Sequence, residues 1–471
     1  MNEPVKTNRG PRAAALVSDW MATVRFLDGD TRGFARAKAF MDRSTAICRR
    51  KTVPCSAVPS LFDAAARSRM QYACETMHAI LDKVIERYRL DPSFRALFPF
   101  GPHAEKLVID SWSEKTSLPF VRYDIFFDER TGDFVFCELN ADGSSGMNED
   151  REIARAMRTT TVFDRFEKTH RMEANELVES LIDVFIERAD LGAIDTPSVA
   201  ICDYLESATL SEFEVYRQRF LRRGISCEIC DVRNLVADNE GLRLPSGRHI
   251  DAVWRRCVAG DLLAHWNDSQ PLIEAMRSGK TRVLGDFSGL IVHDKRIFHV
   301  LHLPQMQSIL SEAERAFVAH HIPYTADLDG SSIDLERVKH EKNRWVIKPA
   351  DGYGARNIHL GIDYDAKHWR MLVDTCANGA PARPFIAQRF QVPFRSPAIP
   401  LDESVNGKTK AESYARLLGL YAYGGRFAGV YSRLGPRNIV SGLFGGLTAA
   451  TFWVDCDRPD PLELPATAAS T

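Results

Sequence analysis

The chain has 471 residues, with 61 Lys and Arg against 63 Asp and Glu, so its formal net charge is −2. At about 100–200 residues per domain, this length implies several folded units, and 45% apolar with 26% charged residues is a globular composition rather than a disordered one. The balanced charge excludes an obligate nucleic-acid binder, and no segment reaches the roughly 20 apolar residues that cross a bilayer.

The N-terminal stretch has no continuous apolar run, which argues against a secretory leader. The strongest apolar candidate, 441–454, is short and broken by Gly445, Gly446 and Thr448. The 10 cysteines are spread along the chain and read as packing thiols of a reducing, cytoplasmic setting. Cys227 and Cys230 form a C-x-x-C, but in a strand-like run residues three apart face opposite ways, and zinc would require a second ligand pair.

Residues from about 12 to 100 read as helix. Leu16, Trp20, Val24 and Leu27 recur at helical spacing, and Met77, Ile80, Val84 and Tyr88 do so again. The region 1–118 is therefore expected to be helical. From Phe120 the period becomes two: Val121, Tyr123 and Ile125 alternate with Arg122, Asp124 and Phe126. After a polar turn at 128–133, Val135, Cys137 and Leu139 alternate with Phe136, Glu138 and Asn140, which makes 119–150 a hairpin unit. A helical connector is expected over 151–195, with Leu177, Leu181 and Phe185 on one stripe. Residues 196–290 alternate short strands with helix, the rhythm of an open α/β unit. An α+β region follows over 291–455, with strands at 345–348 and 384–390 and a Gly-rich end at 419–446. The tail, 456–471, rich in Pro and small residues, reads as disordered.

The hairpin carries the most chemistry. Arg122 and Asp124 share one face of its first strand, and Glu138 and Asn140 share one face of the second. If the faces coincide, two carboxylates and an amide oxygen converge, with an arginine at the rim. Hard oxygen donors of this kind suit Mg²⁺ or Mn²⁺ with room for substrate phosphates. A solvent-facing polar sheet face would show the same alternation. Lys348 ends a β-branched run and precedes a loop containing Gly352 and Gly354, a way to hold a polyphosphate with one ammonium and several loop amides. It is not a P-loop: the Gly279-Lys-Thr run has Glu274 where the motif needs its first glycine. Lys295 opens a helix-like stretch and on its own reads as a surface residue. Arg433 and Asn438 either stabilise transferring phosphoryl charge or belong to a surface loop. Arg255 and Arg256 have two readings as well, as anchors for an acidic substrate or as surface arginines. There is no Gly-x-Ser-x-Gly elbow and no His-rich spacing to support Ser-His or zinc hydrolysis.

Together these pieces resemble an ATP-grasp enzyme of the circularly permuted type, the glutathionylspermidine synthase C-terminal (synthetase) family. The run Arg122-Tyr-Asp124…Glu138-Leu-Asn140-Ala-Asp142 is similar to the metal-binding segment that comes last in ordinary ATP-grasp chains, and here it comes before the lysine and glycine-loop elements. Over about 110–455 the resemblance implies an α+β / α/β fold. Its circularly permuted ATP-grasp core would combine 119–150 with 291–455, and 196–290 would be a pre-ATP-grasp-like unit. It implies Asp124, Glu138 and Asn140 as ligands of two Mg²⁺ ions, with Mn²⁺ as the alternative metal. It also implies Lys295 and Lys348 on the ATP phosphates under Gly352 and Gly354, and Gln388 and Phe390 at the adenine. Arg122 and Arg433 would steady an acyl-phosphate.

The implied activity is ligation of a small-molecule or peptide carboxylate to an amine, with release of ADP and phosphate. An ATP-grasp kinase and an inactive nucleotide-binding scaffold are the alternatives. Loops at 351–357 and 402–410 are expected to close over the site. The chain departs from the family in two ways. No amidase Cys-His pair precedes the ligase part, and the loop after Lys348 reads Ala-Asp-Gly-Tyr-Gly-Ala-Arg instead of Gly-Arg-Glu-Gly. The second departure argues against glutathione and spermidine as substrates and leaves ATP in place.

Overall fold

A computed structural model describes residues 12–48, 50–115, 117–352, 354–379 and 384–456. From residue 457 on, the tail expected to be disordered lies outside the described residues.

Helix α1 (Ala13–Phe26) buries Leu16, Trp20 and Val24, and α2 (Thr31–Met41) buries Phe34 and Ala37. Asp30 caps α2 by accepting the Gly33 amide at 3.1 Å. The expectation of unbroken helix to residue 100 fails at β1 (Ser60–Phe62), a fully buried strand just before α3 (Ala64–Leu90). The cause is tertiary. Ser60, Leu61 and Phe62 pair in parallel with Thr451, Phe452 and Trp453, and no local pattern in the sequence announces that partner.

Strands β2 (Phe120–Phe127) and β3 (Phe134–Asn140) form the expected antiparallel hairpin. One detail of its alternation differs. Asp124 pairs with Glu138 but Ile125 pairs with Phe136, so Cys137 is an extra residue in a β-bulge. The bulge reverses the facing of β3 at that point. Phe134, Phe136 and Leu139 enter the core with Val121, Tyr123 and Ile125, while Cys137 lines the same cavity as Glu138 and Asn140.

Helix α4 (Met147–Met157) follows, and the expected connector is then interrupted by β4 (Met172–Ala174) before α5 (Leu177–Arg188). Strands β5 (Ser198–Asp203), β6 (Ser226–Asp231), β7 (Ala252–Arg255) and β8 (Arg282–Leu284) make a parallel sheet in the order β8-β7-β5-β6, with helix α6 (Leu210–Arg222) between β5 and β6.

Strands β9 (Thr325–Asp327), β10 (Trp345–Pro349), β11 (His359–Leu360) and β12 (Phe385–Arg389) form an antiparallel sheet in the order β9-β12-β10-β11. The chain then enters β13 (Arg395–Ala398), β14 (Glu412–Tyr423), β15 (Arg426–Gly435), β16 (Leu447–Ala449) and β17 (Thr451–Val454). These strands join the early hairpin in one six-stranded antiparallel sheet, β16-β15-β14-β2-β3, with β13 also on β14. Residues 414–423 of β14 are all buried, as befits a central strand covered on both faces. β17 leaves that sheet to lie between β1 and β4. The fold is mixed α+β. Among the described residues no helix is long and apolar enough to cross a membrane.

Candidate functional site

Strand register brings the hairpin's polar residues together. Asp124 lies directly opposite Glu138, and Arg122 lies opposite Asn140. On the other side of β2, Asp124 faces Gly419 and Arg122 faces Tyr421; one strand further, Gly419 faces Tyr431 and Leu417 faces Arg433. Residues opposite one another share a sheet face, so the two carboxylates, Asn140 and both arginines project together.

Asp124 is fully buried and sits at the centre of this set. Its Oδ1 accepts from Arg122 Nε at 2.9 Å, and its Oδ2 accepts from Asn140 Nδ2 at 3.2 Å and from Arg433 Nη2. Arg122 also donates Nη1 to the Ser145 carbonyl at 2.9 Å. Burial works against the Arg122 charge, but the Asp124 carboxylate outweighs it and raises the guanidinium pKa above its ordinary value. Gly419 makes room for this arrangement, because a Cβ there would stand 2.5 Å from Arg122 Cδ. An isolated glycine inside the apolar run 417–422 was the signal in the sequence, and it marks a close approach.

Glu138 pairs with Lys295 at 2.9 Å. Burial alone would push its carboxyl up, yet the Lys295 ammonium, with Lys348 beyond it, holds it down at about 2. Lys295 Nζ also donates to the Gly352 carbonyl at 2.5 Å, and its backbone N–H donates to the Ala350 carbonyl. Lys295 is buried rather than a surface residue, and the helix expected to start there begins at Ile297. Lys348 donates to Gln388 Oε1 at 2.9 Å and to the Cys137 carbonyl at 3.3 Å, while Gln388 Nε2 donates to Thr325 Oγ1 at 3.0 Å. The Gln388 amide, expected at the adenine, is therefore occupied with holding Lys348.

A cavity of about 230 Å³ lies between the two antiparallel sheets. The central sheet contributes Arg122, Glu138, Asn140 and Arg433, and the other sheet with its loop contributes Lys348, Gly354, Gln388 and Phe390. Asp124, Lys295 and Gly352 stand behind this lining and reach it through their partners. Val346, Ile358, Leu360 and Leu417 give the cavity an apolar portion, and Asn438 lines it too. The loop expected to close over the site at 402–410 does not line it. Asp402 lies in a short helix (Leu401–Val405) beside α2, 3.7 Å from Lys38, and Lys408 pairs with Glu412 at 2.7 Å.

The α/β unit fixes the loop that follows Asn140. Arg255 and Asp142 form a buried pair at 2.7 Å, and the Asp142 carboxylate also accepts the Ala259 amide. Arg256 donates to the Ser144 carbonyl at 2.5 Å, and Glu212 accepts the Gly146 and Asn148 amides at 3.1 Å each. Both arginines are buried and help to hold the loop, which corrects the reading of them as surface residues.

This lining suits a polyphosphate with a hard cation. Arg122, Lys348 and Arg433 are cationic, and Arg433 Nε is a buried donor with no partner. Glu138, Asn140 and, behind them, Asp124 are oxygen donors of the kind Mg²⁺ takes. Among the described residues no three His, Cys, Asp or Glu side chains are grouped for a metal, so any ion here would draw on the Asn140 amide and on substrate oxygens.

The fold has a counterpart among solved structures. The particular likeness is to a glutathione synthetase-like effector from Globodera pallida, solved in its apo form. It superposes at a TM-score of 0.59 over 90% of this chain and 96% of its own, with 12% sequence identity. A D-cycloserine synthetase aligns at a TM-score of 0.28 and 17% identity over 41% of this chain and 59% of its own, an overlap that carries no structural argument. By sequence, the chain matches no protein-family model and no curated protein.

Proposed function

We propose that this chain is an ATP-dependent ligase that joins a carboxylate to an amine through an acyl-phosphate, with ADP and phosphate as the other products. The observation that carries the reading is the Asp124 cluster. Two arginines converge on one buried carboxylate at the wall of a cavity whose opposite wall presents Lys348. Lys348, set by Gln388, and Lys295, set by Glu138, would orient phosphate oxygens as fixed ammonium groups. Arg122 and Arg433 would hold the substrate carboxylate and balance the charge that grows on its carbonyl oxygen. Mg²⁺, when bound by Glu138, Asn140 and Asp124, supplies neutralisation of the phosphate charge. The apolar portion at Val346, Ile358, Leu360 and Phe390 fits a flat heterocycle such as adenine.

The proposal includes a permuted ATP-grasp order. It is supported by a hairpin from 120–140 that pairs directly with the strand at 412–423, which in turn pairs with the strand at 426–435. Buried reduced thiols such as Cys74, Cys202 and Cys257 support a cytoplasmic location.

The test is an ADP-release screen with Mg²⁺-ATP and pools of amino acids, short peptides and polyamines, followed by mass spectrometry of the product. ADP, phosphate and an amide are expected. AMP with pyrophosphate, or a stable phosphorylated product, overturns the reading.

A further inference from the structure

A second cavity, about 370 Å³ in volume, shares Gly354, Arg433, Val440, Ser441 and Gly442 with the first and so meets it at Arg433. Its charged lining residues are Lys51, Glu149 and Arg433, and Val53, Leu434 and Leu447 belong to its apolar surface. Nothing in the phosphate-holding set uses Glu149. A carboxylate here would repel a phosphate or a carboxylate substrate, and it suits an ammonium.

The surroundings of Glu149 tie it to the reactive arginines. It lies in the first turn of α4, and its Oε2 accepts from the Tyr431 hydroxyl, which also meets Thr448 Oγ1 at 3.2 Å. Tyr431 stands two residues before Arg433 on the same face of β15. The guanidinium carbons of Arg122 and Arg433 each lie 5.9 Å from its ring centre. One tyrosine therefore touches both arginines of the Asp124 cluster and the Glu149 carboxylate.

We propose that Glu149, aligned by Tyr431, binds the ammonium form of the amine substrate in this second cavity and takes the proton that must leave before attack. The assignment rests on the ligase reading. The amine class is a small primary amine with an apolar body, and an anionic group on it would find Lys51. Burial pushes the Glu149 carboxyl up from its ordinary value; the Tyr431 hydrogen bond opposes this, Glu212 adds to it, and Arg122 and Arg433 oppose it. The net rise makes Glu149 a better base than an exposed glutamate.

In the step itself, a proton passes from the ammonium to Glu149, and the freed nitrogen lone pair attacks the acyl-phosphate carbonyl carbon. The C–N bond forms and the C–O bond to phosphate breaks. The phosphate leaves with that electron pair and takes the second N–H proton as hydrogen phosphate.

The test compares two nucleophiles on the full chain with Mg²⁺-ATP and a pool of amino acids and short peptides as carboxylate donors. Butylamine is protonated at pH 7 and needs a base; hydroxylamine is largely neutral and does not. Mass spectrometry reads the ratio of butylamide to hydroxamate. Glu149→Gln is expected to lower this ratio about a hundredfold, and Tyr431→Phe to lower it by less. If Glu149→Gln melts abnormally, Tyr431→Phe decides. A ratio unchanged in a folded variant overturns the amine assignment alone. No ADP release and neither product from the unsubstituted chain overturns the ligase reading and this assignment with it.

Discussion

Arg433 donates to the buried carboxylate of Asp124 across 309 positions of sequence. Asp124 has no exposed surface, and its other cationic partner, Arg122, is nearly as enclosed. Removing this charge leaves two guanidinium groups facing each other in a low dielectric without the carboxylate both bond to. Asp124→Asn is expected to abolish turnover and to cost about 3–5 kcal/mol of stability. Urea denaturation beside an ADP-release assay checks both. A variant with wild-type stability would show that the carboxylate is not the electrostatic centre of the cluster.

Gly419 faces Asp124 with no side chain, and Arg122 occupies the space. Gly419→Ala puts a methyl group into contact with the arginine's aliphatic portion, a small overpacking worth about 1–3 kcal/mol. Because the displaced group is flexible, the loss should fall more on activity than on folding. A kcat reduced at least about tenfold with a cooperative melt retained is the expected result, and unaltered kcat would remove Arg122 from the chemistry.

Lys348 and Gln388 predict a nucleotide-binding defect with no folding defect. ATP at a hundredfold excess over its Kd should stabilise the chain by about 2.7 kcal/mol. In Lys348→Ala that ATP-dependent shift in melting temperature should disappear, while the melt without nucleotide stays close to wild type. Gln388→Leu removes the acceptor at 2.9 Å that fixes the ammonium and should weaken the shift without eliminating it. Chelating Mg²⁺ should abolish ADP release in every variant.

Asp150, the neighbour of Glu149 in α4, gives a pH test read on stability alone. Burial drives its carboxyl up to about 8, against hydrogen bonds from Asn175 and Thr451. Its Oδ2 accepts from Asn175 Nδ2 at 3.1 Å, while Oδ1 is buried without a partner. With the folded pKa raised above the unfolded value of 3.8, this group's contribution is fully present below about pH 4. It is lost as pH rises through about 8. Asp150→Asn removes the proton uptake, so the variant should be more stable than wild type at pH 8 and gain much less at pH 4. Thermal melts at the two pH values check this, and an equal gain at both would contradict it.

The sequence made the hairpin and its polar face legible because strand alternation is a local property, and Arg122, Asp124, Glu138 and Asn140 declare their faces by spacing alone. The parallel α/β unit was legible for the same reason. Three features were not. The bulge at Cys137 adds one residue without changing composition, so the facing of Phe136 was misread. The strand at Ser60–Phe62 exists because of a partner almost 400 positions away. Lys295 looked like a surface residue because its partner, Glu138, is supplied by another part of the chain. Glu149 and Tyr431 could have been flagged only as polar residues near Asn140 and Arg433, a weak signal until register placed them together.

The pairing of the 120–140 hairpin with β14, and of Asp124 with Arg433, also has a consequence for synthesis. A nascent chain emerges with its hairpin at 120–140 exposed along one edge, and that edge waits for β14 before it can be covered. The Asp124 cluster closes only when residue 433 has left the ribosome. A chain that stalls before that point therefore carries an open strand edge and a buried-type carboxylate with half its counter-charge, which makes it a client for chaperones.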